Sequence, residues 1–374
     1  MILHLLIYSE GTERQFAAYV LKQFSAPEMC SHFVIMSSIK SIDDYKENHN
    51  VKVVNPCNQV EMELFVNTLP DYSAIIFHGL FEPWCETVLL RVPERVKVAW
   101  VFWGGEIYGR RDLADSYLGP WTKRVFRVRN LLKGIKKKSL CSFELPKDLY
   151  QRVDYCLTDM EEEFKFAQDY LNAPGMKFLW YNYYSIEETL GELKESCCDG
   201  DSVIVGNSAT IECNFFDCLS DIRNICRGDA KVVVPLGYGA LWVRNLVVKI
   251  GKACLGDCFV PLTSFLTRKD YNSILLSCSA MVQPHYRPQA QGNIITGLWL
   301  GMRVFLSERN LAYRYFNRIG VRVFSIERDL NNKTIRHQKL STDIVDSNRA
   351  ILSHWYGKGK MRSRLLHLVS VLNG

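Results

Sequence analysis

Short apolar runs alternate along this chain with stretches of helical spacing, and that alternation leaves little choice of fold. Residues 2–8, 33–36, 51–54, 74–77, 98–103, 155–158 and 178–181 are apolar runs of strand length. Between them lie polar loops and segments such as the one through Phe16, Tyr19, Val20 and Phe24, whose apolar side chains recur at near-helical intervals. Strands buried on both faces read as continuous apolar runs, and strands separated by helices predict βαβ units with a parallel sheet.

The pattern pauses around residues 191–201, a polar stretch containing Gly200, and then restarts. Residues 203–205, 232–234, 280–283, 304–306 and 321–324 read as a second set of strands, whereas the stretch between Gly237 and Arg268 resists assignment. The tail from Asp346 through Leu372 reads as helical. A chain of 374 residues is long enough for two α/β domains, each with its own core. The expected division is 1–195, 200–345 and a helical tail, 346–374.

With 48% hydrophobic and 23% charged residues, the composition excludes general disorder. The net charge of +6 argues only weakly for an anionic partner. Thirteen cysteines show no paired ligand spacing, so reduced thiols are expected in place of a zinc site or a disulfide framework. No signal peptide is evident, and no apolar run approaches the roughly 20 residues that span a bilayer, so any membrane contact is expected to be peripheral.

Ligands of open α/β sheets bind at the carboxyl ends of strands, and this chain's strand ends carry distinctive corners. Gly206-Asn207-Ser208 follows one predicted strand directly; glycine admits a close ligand, while Asn207 and Ser208 offer donors or simply cap a helix. Arg287-Pro288-Gln289-Ala290-Gln291-Gly292-Asn293 follows another and opens an apolar helix, a combination suited to a diphosphate. Glu106 stands behind two glycines after residues 98–103 and His78 after 74–77. Each is a candidate to take a proton from a hydroxyl, or else a helix-start carboxylate and a structural histidine. His285 is a third, weaker candidate.

Residues 123–138 form the clearest electrostatic feature. Lys123, Arg124, Arg127, Arg129, Lys133, Lys136, Lys137 and Lys138 interleave with apolar residues and no acid. This pattern suits an anionic bilayer surface better than a solvated basic face or a nucleic-acid patch, and none of the usual nucleic-acid motifs accompanies it. Walker, His-Glu-x-x-His and Gly-x-Ser-x-Gly motifs are absent. Asp199-Gly200-Asp201 precedes a strand and reads as a solvated turn. A metal-free site that neutralises diphosphate with donors and cations is therefore expected.

In their order, five blocks resemble glycosyltransferase family 56: Phe77-His78-Gly79-x-Phe81-x-Pro83, Trp103-Gly104-x-Glu106-Ile107-Tyr108, Gly206-Asn207-Ser208, residues 231–238, and Arg287-x-Gln289-x-x-Gly292. That family moves 4-acetamido-4,6-dideoxygalactose from a dTDP donor to a polyprenyl-diphosphate oligosaccharide. The resemblance implies a GT-B fold, two Rossmann-like domains facing across a cleft. It further implies inverting, metal-independent transfer at the cytoplasmic face of the inner membrane, with no cofactor. Gly206, Asn207, Ser208, Gly237, Tyr238, Arg287, Gln289, Gly292 and Asn293 would bind the donor in the second domain. Glu106 would be the base and His78 its assistant in an acceptor-binding first domain. Glu106, Val101 and Ala290 stand where the family pattern has aspartate, histidine and glycine, which leaves the sugar and acceptor open. A nucleotide-sugar epimerase and a non-catalytic scaffold are the rival readings.

Overall fold

Two all-parallel sheets carry the chain in the computed structural model, which describes residues 1–7, 12–38, 50–135, 140–141, 143–223, 230–330 and 340–374. The first sheet has seven strands: β1 (Ile2–Ile7), β2 (Ser31–Met36), β3 (Val51–Val54), β4 (Ala74–Phe77), β5 (Lys97–Val101), β6 (Tyr155–Thr158) and β7 (Lys177–Trp180). Their spatial order is β3-β2-β1-β4-β5-β6-β7. The second has six: β8 (Ser202–Val205), β9 (Val232–Pro235), β10 (Phe259–Leu262), β11 (Cys278–Gln283), β12 (Arg303–Leu306) and β13 (Phe324–Ser325), ordered β10-β9-β8-β11-β12-β13. In each sheet the chain starts near the middle, builds to one edge and then returns to build the other. The reversals fall between β1 and β4 and between β8 and β11, the places where such sheets open a crevice for ligands.

The expected strands all form, with ends shifted by a residue or two, except that 321–324 narrows to Phe324–Ser325. The unassigned stretch holds a helix, Leu241–Leu255, and β10. Pro261 hid this strand in the sequence; it is tolerated because β10 lies on an edge and pairs only with β9.

The chain divides into two compact units, Met1–Arg110 with Leu140–Tyr183 and Gly359–Gly374, and Arg111–Ser139 with Tyr184–Lys358. This differs from the boundaries read along the sequence. The excursion through the helix Pro120–Leu132 belongs with the second unit, because that unit supplies its cap. The Asp217 carboxylate accepts from Trp121 N at 2.8 Å and Thr122 N at 3.0 Å, and Asn214 Oδ1 accepts from Gly119 N at 2.8 Å. An acid at a helix start satisfies unpaired N–H groups and complements the dipole; here it comes from almost a hundred residues away.

The tail also divides. The helix Thr342–Tyr356 packs in the second unit, where the Tyr356 and Tyr315 hydroxyls lie 2.8 Å apart and Arg349 donates to the Trp299 carbonyl at 2.9 Å. The helix Lys358–Asn373 sends Leu365, Leu368, Val369 and Leu372 into the first unit's core with Phe16, Val20 and Phe24. Each such buried side chain contributes about 1.5–3 kcal/mol. Among the described residues no helix is long and apolar enough to cross a membrane, and all twelve described cysteines are free thiols.

Candidate functional site

In the second unit the corners after β8 and β11 meet at the sheet's reversal point. Gly206 ends β8 with φ of +67°, and a Cβ there would lie 2.7 Å from the Phe215 ring, so glycine is required. The turn aims Asn207 at the next corner. Its Oδ1 accepts from His285 Nε2 at 3.0 Å and from Gln289 Nε2 at 3.0 Å, while its Nδ2 donates to the Tyr238 hydroxyl at 3.0 Å. One side chain thus ties together the loops after β8, β9 and β11.

The surroundings hold that junction still. Ala209 N donates to Tyr238 O at 2.7 Å and Ala240 N to Ala209 O at 2.8 Å, so the β8 and β9 corners continue to pair beyond the strands. Asn310 Nδ2 donates to the carbonyls of His285 and Arg287, at 3.1 and 2.9 Å, and anchors the third loop. His285 is fully buried, and burial first, then the neighbouring Arg287 charge, lowers its pKa to about 3. It is a neutral ring that organises the junction.

The other expected donor contacts are placed differently from one another. Ser208 turns inward, 1% exposed, with its hydroxyl 3.1 Å from Thr210 Oγ1, so its side chain faces the interior of the unit. Gly237 is a steric requirement: a Cβ would lie 2.6 Å from the Ser264 carbonyl oxygen. Gly292 is exposed with open space around it, and Asn293 is half-buried, both at the start of the helix Gln291–Trp299. It is Ala290 that adopts the left-handed conformation, φ +57°, at the N-cap. The Arg287 guanidinium is 3.2 Å from Glu212 Oε1, with 14% and 16% of the two side chains exposed, so a carboxylate already sits on the cation expected to meet a diphosphate. Sequence reading missed Glu212, Asn310 and Cys213, whose Sγ lies 3.3 Å from His285 Nε2. None carries a motif; each is recruited by the path of a loop.

In the first unit, His78 follows β4 as expected but is 2% exposed and bonded at both nitrogens. The proton directions follow from the ends of the chain of contacts. Ser31 Oγ donates to the Met29 carbonyl, so it accepts from His4 Nε2 at 3.2 Å. His4 Nδ1 then accepts from His78 Nε2 at 3.0 Å, and His78 Nδ1 accepts from the Tyr183 hydroxyl at 3.1 Å. Tyr183 in turn accepts from Trp103 Nε1 at 2.9 Å. The lone pair that a proton acceptor would offer is therefore committed to Tyr183. Burial, reinforced by His4, holds the His78 pKa well below the ordinary histidine value.

Glu106 lies in the short turn Gly105–Tyr108 and is 1% exposed. Its Oε1 accepts from Trp100 Nε1 at 3.0 Å and Trp103 N at 3.2 Å. The carboxylate sits beneath the Trp103 corner, inside the unit. Through the bond to its backbone N–H, Glu106 holds Trp103 in place.

The basic helix Pro120–Leu132 buries Thr122 and Phe126 and exposes Trp121, Val128, Leu131 and Leu132, the last two about 80%. Lys123 and Arg127 pair with Asp115 at 3.3 and 2.5 Å, and Arg129 stacks on Trp242 at 4.3 Å. Arg124 lies over Trp121 at 4.9 Å, and Lys133 is exposed. Lys136, Lys137 and Lys138 lie outside the described residues. Among the described residues no three His, Cys, Asp or Glu side chains converge as a metal site.

No protein-family model and no curated protein matches the chain. Solved structures do. HepE of Anabaena, in complex with UDP and glucose, aligns with a TM-score of 0.60 at 13% identity, covering 99% of this chain and 100% of that one. A glycosyltransferase of Rickettsia africae aligns at 0.62 and 11%, covering 99% and 98%. The sucrose-phosphate synthase of Thermosynechococcus elongatus aligns at 0.54 and 12%, covering 100% and 95%. At such identities the likeness speaks for the fold, and the fold is GT-B: two parallel α/β units in one chain.

Proposed function

We propose that this GT-B chain is a glycosyltransferase that takes its sugar from a nucleoside diphosphate. The observation that carries the reading is Asn207, which joins Tyr238, His285 and Gln289 at the reversal point of the second sheet. Solved neighbours of the same fold hold UDP and UDP-glucose, in keeping with a nucleotide donor.

The donor is assigned to the second unit. Its diphosphate would meet Arg287 and the first N–H groups of the helix Gln291–Trp299, at Gly292 and Asn293. Charge develops on the leaving diphosphate as the anomeric C–O bond breaks, and donors set in advance stabilise it without reorganising. In an inverting transfer the acceptor hydroxyl attacks that carbon from the opposite side, passes its proton to a water molecule, and the nucleoside diphosphate departs with the electron pair of the broken C–O bond. No step in this scheme requires a metal ion. Glu106 and His78 act here by positioning the Trp103–Tyr183 corner of the first unit, to which acceptor recognition is assigned.

The finer reading follows the family-56 blocks: a dTDP-linked deoxyamino sugar such as 4-acetamido-4,6-dideoxygalactose, moved to a polyprenyl-diphosphate oligosaccharide during surface polysaccharide assembly. The exposed apolar and basic side chains of the helix Pro120–Leu132 support a peripheral position on the cytoplasmic face of the inner membrane. The test is calorimetry of the purified protein against a panel of nucleoside diphosphates and nucleotide sugars, followed by product analysis with and without a lipid-linked acceptor. Binding of one nucleotide and acceptor-dependent transfer with inverted configuration are expected. A changed sugar without acceptor would identify an epimerase, and no nucleotide binding at all would overturn the proposal.

A further inference from the structure

The corners after β9 and β10 hold two exposed aromatic rings beside the Asn207 junction. Tyr238 is 55% exposed and Phe265 is 78% exposed. What marks the pair is their place: two exposed rings on adjacent corners at one end of the sheet. Phe265 has no ring partner among the described residues.

The two rings stand on closely packed backbone. A Cβ at Gly237 would lie 2.6 Å from Ser264 O and 3.2 Å from Phe265 N, so the two corners run in direct contact. Gly239 is pressed equally close to Ala209, with φ of +111°. The Tyr238 hydroxyl is tethered by Asn207 Nδ2 at 3.0 Å, which leaves its ring to the surface. β9 and β10 are adjacent parallel strands, so both rings emerge on the ligand-binding edge of the sheet.

We infer that Tyr238 and Phe265 form the platform for the planar base of the nucleoside diphosphate, a deepening of the proposed donor reading that rests on it. The phosphate-facing groups, Arg287 and the helix start after Ala290, lie on the β11 side of Asn207, and the rings lie on its β9–β10 side. A nucleotide laid along the strand ends would place its base on the aromatic side. Stacking on an aromatic face tolerates every base, so the platform supplies affinity for the nucleoside without choosing among pyrimidines. A protein partner fits less well, because two side chains fall far short of the roughly 800 Å² that each partner buries in a stable interface.

The test is calorimetry on the full chain with UDP, dTDP and inorganic pyrophosphate. Phe265→Ala should weaken both nucleotides about tenfold, as loss of one stacking partner does, and leave pyrophosphate unchanged; Phe265→Trp should restore nucleotide binding. Equal weakening of pyrophosphate, or no change with any probe, would overturn the platform and leave the donor reading standing. A native protein that binds none of the nucleotides would overturn both.

Discussion

Asn207 Oδ1 lies 3.0 Å from His285 Nε2, although the two residues are 78 apart in sequence. This bond bridges the corners that follow β8 and β11, the paired strands on either side of the reversal point. Around it the loops carrying Tyr238, Gln289 and Arg287 take their places. In the proposed donor site Asn207 would therefore act through geometry as well as through any direct contact.

Asn207→Ala removes the bonds to His285, Gln289 and Tyr238 together. Nucleoside diphosphate affinity should fall by at least tenfold, since hydrogen bonds contribute about 1 kcal/mol each and two donors, the buried His285 Nε2–H and Gln289 Nε2–H, lose their acceptor. Titration calorimetry measures this, and circular dichroism checks that the sheets persist. Unchanged affinity would remove the junction from the donor site.

Glu212 offsets the charge of Arg287 at 3.2 Å. Neutralising it by Glu212→Gln keeps the size of the side chain and releases the guanidinium for an anion. Pyrophosphate and nucleoside diphosphates should bind about three- to tenfold tighter at low salt, whereas Arg287→Ala should weaken them by a similar or larger factor. If Glu212→Gln weakened binding as much as Arg287→Ala, the carboxylate would be aiming Arg287 and not competing with its ligand.

Both donors to Glu106 reach the same oxygen, Oε1. A glutamine can keep an oxygen there, so Glu106→Gln should fold normally and retain turnover within about tenfold. A general base would lose roughly 10²–10⁴-fold on the same change. Steady-state kinetics separates the two, and a loss in the larger range would return Glu106 to proton transfer.

His4, His78 and His285 are buried and neutral; burial lowers His4 and His285 to about 3 and His78 well below its ordinary value. Their folded pKa values lie below the unfolded value near 6.5, so the unfolded chain binds more protons between those limits. The stability they favour is complete above about pH 7 and declines as pH falls through 6.5 toward 3. Each group costs on the order of 1–2 kcal/mol between pH 7 and 5. Urea unfolding at both values should show the loss, and His285→Asn should flatten it for the second unit. A midpoint independent of pH in this window would contradict the buried neutral rings.

Leu131 and Leu132 are about 80% exposed beside the cations Arg124 and Lys133. Co-sedimentation with vesicles containing anionic phosphatidylglycerol should fall several-fold in Leu131→Glu with Leu132→Glu. It should fall about thirtyfold in Arg124→Gln with Lys133→Gln, at about 1 kcal/mol per cation. Neutral phosphatidylcholine vesicles should bind weakly in every case. Equal binding of both vesicle types would detach this helix from a charged membrane surface.

The strands were legible because a parallel sheet covered on both faces demands consecutive apolar residues, and such runs as Ala74–Phe77 and Val232–Pro235 stand out against polar corners. Corner positions were legible for the same reason: Gly206 and His78 sit where their strands end. What a side chain does at its corner was decided only in three dimensions. Asn207 points along the ligand edge and its neighbour Ser208 points inward; Glu106 lies beneath its loop; Arg287 meets a glutamate that no motif marked. Likewise Asp217 caps a helix 95 residues away, which moved that helix into the second unit. Local pattern governs whether a segment is extended or helical, whereas the direction and partner of each polar group depend on strand order, and strand order is a property of the whole packed chain.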